Sequence, residues 1–162
     1  MGFIDTAPGT KLPVFYNLVH AVGKGCPNMP DDVKLTQYLL KSVYAKAPQS
    51  KPAGDIQVTG YCDPITMNWI LKFQMDAAQA HPGKILVDNR IDRIRQKDFI
   101  GSISHTVYTL GALNASVLKN NPEAFFAAPA LIPLENPMNV PPPSWDVVSQ
   151  SSPAVVPASG GM

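Results

Sequence analysis

Residues 58–74 read Val-Thr-Gly-Tyr-Cys-Asp-Pro-Ile-Thr-Met-Asn-Trp-Ile-Leu-Lys-Phe-Gln, a turn, a helix start and a helix face in unbroken succession. Gly60 supplies the backbone freedom of a tight turn. Asp63 has the carboxylate of a good N-cap, and Pro64 suits the first helical position, where no donor is missed. From there Ile65, Trp69, Ile70, Phe73 and Ala77 recur at helical spacing, which predicts one buried face. Burying aliphatic and aromatic side chains of this size stabilises by about 1.5–3 kcal/mol each. A core must therefore form around this helix.

The flanking segments organise themselves about it. Residues 14–22 alternate, with Val14, Tyr16, Leu18, His20 and Val22 on one side and Phe15, Asn17, Val19 and Ala21 on the other, the pattern of a strand. His20 among apolar neighbours reads as a structural histidine held by a hydrogen bond. After a Gly- and Pro-containing turn region, Asn28 or Asp31 is expected to cap a helix running to about Tyr44, with Leu35, Leu39, Leu40 and Val43 buried and Gln37 directed at a turn or rim. Residues 45–57 are rich in Pro, Lys and Ser and read as a solvated loop. His81-Pro82-Gly83 ends the central helix. Residues 87–94 then repeat residues 58–65 at an offset of 29, with Asp92 standing where Asp63 stood, so a second turn and helix are expected. Ile103, Val107, Leu110, Leu113 and Val117 mark that third helix, and Asn120-Asn121-Pro122 is read as its stop.

Beyond Asn121 the composition changes. Nine of the 17 prolines lie there, with no Lys or Arg and three acidic residues, Glu123, Glu135 and Asp146. The segment lacks a periodic apolar face. Three parts are expected: an N-terminal arm over 1–13, a domain over 14–121 and a Pro-rich extended arm over 122–162. Phe125, Phe126 and Trp145 are the candidate anchors of that last arm on neighbouring subunits.

The formal net charge of +1 supplies no general attraction for nucleic acid or an acidic membrane. No apolar run approaches a membrane span, and no basic region followed by an apolar core marks a secretion signal. Arg90, Arg93, Arg95 and Lys97 form a local basic cluster, read as a solvated face or a contact surface. Cys26 and Cys62 each precede an expected helix, and are either two half-buried thiols or a disulfide clamping the two helix starts. With His20, His81 and His105 scattered, no zinc-ligand spacing exists and no metal or cofactor is expected.

Three stretches, Asp31-Asp32-Val33-Lys34-Leu35-Thr36-Gln37-Tyr38-Leu39-Leu40, residues 58–74 and Leu86-Val87-Asp88-Asn89-Arg90-Ile91-Asp92-Arg93-Ile94, together resemble the peptidoglycan-binding-like domain family. Its pattern runs D-V-x-x-x-Q-x-L-L, then V-D-G-x-x-G-P-x-T-x-x-A-I-x-x-F-Q, then a second V-D-G-x-x turn and a third helix. The resemblance covers about residues 14–119. Thr59 stands where the family prefers Asp, Asp63 where it prefers Gly, and Asn89 replaces the second turn glycine, a residue type that also adopts left-handed backbone. The resemblance implies a mainly α fold: a small three-helix domain with a short N-terminal strand and extended terminal arms.

It further implies a module that holds a wall-cleaving partner on peptidoglycan. No pair or triad suited to hydrolysis accompanies it here, so no enzyme is expected. The reading reached from sequence is a non-catalytic structural subunit of a multi-subunit assembly, in the manner of a bacteriophage tail, neck or collar protein. Its partners would be copies of itself and other subunits, and its location the virion. The alternative is a peptidoglycan-binding module of the bacterial cell envelope, with Tyr61, Asp88 and Arg90 edging one shallow groove.

Overall fold

The computed structural model describes residues 1–96, 98–101 and 106–135; Lys97, Ile103, His105 and Trp145 lie outside them. Among the described residues the strands are β1 (Gly2–Thr6), β2 (Val14–Asn17), β3 (Val22–Gly23), β4 (Arg90–Ile91) and β5 (Leu134–Glu135). The helices are α1 (Pro30–Ala45), α2 (Pro64–Ala80), α3 (Thr109–Asn120) and α4 (Pro122–Leu131). β1 lies between β2 and β5, antiparallel to β2 (Phe3 opposite Asn17, Thr6 opposite Val14) and parallel to β5 (Gly2 opposite Leu134). β3 and β4 form a separate antiparallel pair, Val22 opposite Ile91 and Gly23 opposite Arg90.

This corrects the expected three-helix domain with one strand and two extended arms. The first arm is β1, and Phe3, Ala7 and Leu12 are buried. Past Asn121 the chain continues as a fourth helix whose Phe125 and Ala128, with Ile132 just beyond it, enter the core. Asn121-Pro122 does end α3, but the same two residues start α4: Asn121 is the N-cap, its side chain accepting from the Ala124 amide at 3.4 Å, and Pro122 occupies N1. The Asn121 side-chain Nδ2 also donates to the Ser42 carbonyl at 3.1 Å, tying this joint to α1.

The strand expected over 14–22 stops at Asn17, beyond which side chains take the backbone amides: Leu18 donates to Asn17 Oδ1 at 2.9 Å, and Val19 and His20 donate to Asp32; Phe15, Tyr16, Asn17 and Leu18 are buried in succession rather than in alternation. His20, expected as a structural histidine held by a hydrogen bond, has a half-exposed side chain with Nδ1 3.8 Å from Asp32. Asp32, fully buried, accepts from the Val19 amide (3.1 Å), the His20 amide (3.2 Å) and the Met1 amino group (3.2 Å). Neither Asn28 nor Asp31 caps α1, which begins at Pro30 behind Met29 with no side-chain cap.

α2 follows its sequence. Asp63 Oδ1 accepts from the Thr66 amide at 2.8 Å, Pro64 is the first helical residue, and Trp69, Ile70 and Phe73 are buried. Ile65 departs from the expected face and is exposed, packing at the helix start beside Gly54. Trp69 packs edge-on against Tyr44 with ring centroids 5.6 Å apart and donates its indole N–H to the Ala53 carbonyl at 3.2 Å.

Strands this short cannot satisfy their own backbones, and amide side chains substitute for missing neighbours. Asn114 of α3 accepts from the Tyr16 N–H (2.8 Å) and donates to the Tyr16 carbonyl (2.9 Å), as an adjacent strand would. Asn28 does the same for Gly23 at 2.7 and 3.0 Å, and Asn17 for Ile94 at 2.9 and 3.0 Å.

Candidate functional site

The two related turns are each held by a glutamine one helix upstream. Gln37 of α1 accepts from the Thr59 and Gly60 amides at 2.8 and 2.9 Å, and donates to the Tyr61 carbonyl and to the Thr66 hydroxyl of α2 at 3.0 and 2.9 Å. Gln74 of α2 accepts from the Asn89 amide at 2.7 Å and donates to the Arg90 carbonyl and to the Thr109 hydroxyl of α3 at 2.8 and 3.0 Å. Both side chains are essentially fully buried. Gln37 directed at a turn is thus what α1 presents, whereas the matching role of Gln74 and the hydroxyls of Thr66 and Thr109 were not singled out from sequence. Their signal was available: a helical Gln ahead of each turn and a Thr in the first turn of the next helix.

Gly60 has φ +83°, and a β-carbon there would press on the Pro30 carbonyl at 3.1 Å. Asn89 holds φ +60° at the tip of the second turn, the left-handed conformation expected of it. The repeat is interrupted after this turn. Residues 92–108 intervene before α3 begins at Thr109, so Asp92, unlike Asp63, caps no helix. Asp92 instead pairs with Arg90 at 3.0 Å and raises its pKa by that hydrogen bond and its charge.

Asp88 and Arg90 line one small cavity, of about 60 Å³, with Leu86, Asp92, Gly101, Thr106, Val107, Tyr108 and Thr109. A water needs roughly 10–15 Å³ of such space, so this depression admits a few waters or the tip of a ligand group, not a sugar ring. Asp88 Oδ1 is already engaged by the Gln74 side chain (3.0 Å) and the Arg90 amide (3.1 Å). Tyr61 is 70% exposed and is not part of this lining, so this cavity brings together Asp88 and Arg90 without it. Of the basic cluster, Arg93 lies over the Phe3 ring at 5.2 Å and Arg95 is exposed.

The anchors of the expected C-terminal arm divide. Phe125 is buried in its own chain, its ring 4.9 Å from that of Tyr16, so it is not an intersubunit anchor. Phe126 is 70% exposed and touches the chain edge-on to Phe125.

Cys26 and Cys62 are both free, half-buried thiols, so the disulfide considered from sequence is not formed here. Burial raises the pKa of each thiol; for Cys62 the neighbouring charges of Asp63 and Cys26 add to it, and for Cys26 the nearby Arg90 opposes it. Met67, one turn into α2, places its sulfur 3.4 Å from Cys62 Sγ.

Comparison with protein-family models, with curated proteins and with solved structures finds no match to this chain.

Proposed function

We propose that the chain is a non-catalytic subunit of a multi-subunit assembly that docks through the outer face of α4, with a bacteriophage virion as the setting its sequence suggests. The observation that carries this reading is the exposure of Phe126 (70%) and Leu131 (64%) on a helix whose only charged residue is Glu123. A helix with apolar side chains on both its inner and outer faces is one whose outer face has a partner to meet. Residues 122–131 form a helix whose Phe125 is buried in its own core, so they do not dock as an exchanged extended arm.

Three acidic side chains with structural duties support the non-catalytic part: Asp63 caps α2, Asp32 gathers amides, and Asp76 holds Lys72 (2.6 Å) and the Tyr44 hydroxyl (2.7 Å). Among the described residues no helix is long and apolar enough to cross a membrane.

The test is sedimentation of the full chain across a concentration series, beside a Phe126→Asp variant. Wild-type protein is expected to form larger species and the variant to remain a folded monomer. A second reading, peptidoglycan binding, is favoured by Asp88, Arg90 and the exposed Leu86 lining one cavity. A wild-type chain that stays monomeric and co-sediments with purified walls, with that binding lost in Arg90→Ala, would replace the first reading by the second.

A further inference from the structure

α4 carries an apolar stripe on the side away from the core. Phe126, Pro129 and Ala130 are exposed at the i, i+3, i+4 spacing that places residues on one helix face, with Leu131 beside them. The helix's one charge, Glu123, stands at its start. The stripe is held firmly from beneath, where Phe125 and Ala128 are buried and the Tyr38 hydroxyl of α1 meets the Ala124 carbonyl at 2.6 Å. An apolar strip of this kind calls for a cover.

The chain supplies one close at hand. Leu134 and Glu135 pair with Gly2 and Phe3 as β5, so the described chain departs four residues after Leu131, the last residue of α4. Residues 136–148 come next, with four prolines, Trp145 and a single charge, Asp146. Proline restricts a segment before it binds, so less entropy is lost when it does, and proline-rich segments seat themselves on aromatic side chains. Their reach is sufficient here. A fully stretched chain covers about 3.3–3.6 Å per residue and a helix about 1.5 Å, which puts Glu135 at most about 22 Å from Phe126. At about 3.1 Å per residue of proline-rich chain, the ten residues from Glu135 to Trp145 span about 31 Å. A tether this short holds its segment at an effective concentration of about millimolar, roughly a thousandfold above micromolar subunits, so a chain's own segment outcompetes a neighbour's.

We propose that residues 136–148 lie over the outer face of their own α4, with Trp145 against Phe126, as a cover that is displaced when the face docks on another subunit. As a regulator of that face, the cover rests on α4 being what meets other subunits.

The experiment measures acrylamide quenching of tryptophan fluorescence in the full chain, with the signal of Trp69, buried in the core, subtracted by means of a Trp145→Ala variant. In wild-type protein diluted until it sediments as a monomer, Trp145 should be shielded; in Phe126→Asp it should be quenched as readily as free tryptophan. Sedimentation supplies a second readout. A face covered in about nine chains of ten binds about tenfold more weakly, so Trp145→Ala should assemble at about a tenth of the wild-type concentration, and Phe126→Asp combined with Trp145→Ala not at all. Circular dichroism of each variant checks that the fold persists. Equal quenching of Trp145 in wild type and Phe126→Asp overturns the proposal. So does shielding that is lost on dilution to the monomer, which would place the segment on a neighbouring copy, or assembly of Trp145→Ala at the wild-type concentration or above. If neither wild type nor Trp145→Ala ever assembles, the docking role of α4 falls and takes the regulation with it, whereas a failed cover leaves Phe126-dependent assembly intact.

Discussion

Pro129 and Tyr16 show how one residue's defect becomes another's partner. Proline inside α4 has no N–H to give the carbonyl four residues back, that of Phe125. The Tyr16 hydroxyl fills the gap, donating to Phe125 O at 2.5 Å across 109 residues of sequence. Burial pushes the Tyr16 pKa well above its ordinary value of 10, so the donor stays protonated. Tyr16→Phe should therefore cost about 1–3 kcal/mol, the penalty of an unpaired buried carbonyl. Pro129→Ala restores an amide that can reach the same carbonyl, so adding it to Tyr16→Phe should recover most of the loss. Urea midpoints of the wild type, both single variants and the double variant measure this. If the double variant is no more stable than Tyr16→Phe alone, the compensation is not what links the two residues.

At the scale of elements, the connections between helices are held by buried amides. Gln37 joins α1 to the turn before α2, Gln74 joins α2 to the turn before α3, and Asn114 joins α3 back to β2. Replacing Gln37 or Gln74 by Leu strands several backbone donors and acceptors in the interior, and each variant should lose about 2–4 kcal/mol. Amide exchange localises the effect: protection should fall at Thr59 and Gly60 in Gln37→Leu and at Asn89 in Gln74→Leu. Unaltered protection at those amides would mean that the turns stand without their glutamines. α2 and the two turns were legible in the sequence because their determinants are local: a cap, a proline at the first position, a glycine or asparagine with positive φ. α4 was not, because Asn-Pro serves equally as an end and as a beginning, and only the burial of Phe125 decides. β1 was missed for a related reason. Pro8 and Gly9 read as the breakers of a loose arm, whereas they only turn the chain into the neighbouring β2, as the Ala7 N–H donating to the Pro13 carbonyl at 2.8 Å makes plain, and the other partner, β5, lies far along the chain. The cavity at Asp88 and Arg90 was not legible, because Gly101, Thr106, Val107 and Tyr108 of its lining come from the stretch that interrupts the repeat, and Met67 beside Cys62 was hidden in what reads as an ordinary apolar helix position.

For the whole molecule, α4 decides where the folding unit ends. Its removal would uncover Tyr16 and take Phe125, Ala128 and Ile132 out of the core, and would deprive the Tyr38 hydroxyl of the Ala124 carbonyl it meets at 2.6 Å. Truncating a single buried Phe costs about 3–5 kcal/mol, against a total stability of about 5–15 kcal/mol for a domain. A chain ending at Asn121 therefore loses more than it can spare and is expected to be unfolded, although it retains α1, α2 and α3. A chain ending at Glu135 keeps every core residue named here and the β1–β5 pairing, and should melt cooperatively within a few degrees of the full chain. Circular dichroism melts of the two truncations separate these expectations. A cooperative transition for the chain ending at Asn121 would show that α4 is an attachment to a three-helix core, and Phe126 would then belong to a detachable element. If only the longer truncation folds, α4 is a fixed part of the surface, and the apolar face carrying Phe126 and Leu131 is presented rigidly to whatever the subunit meets.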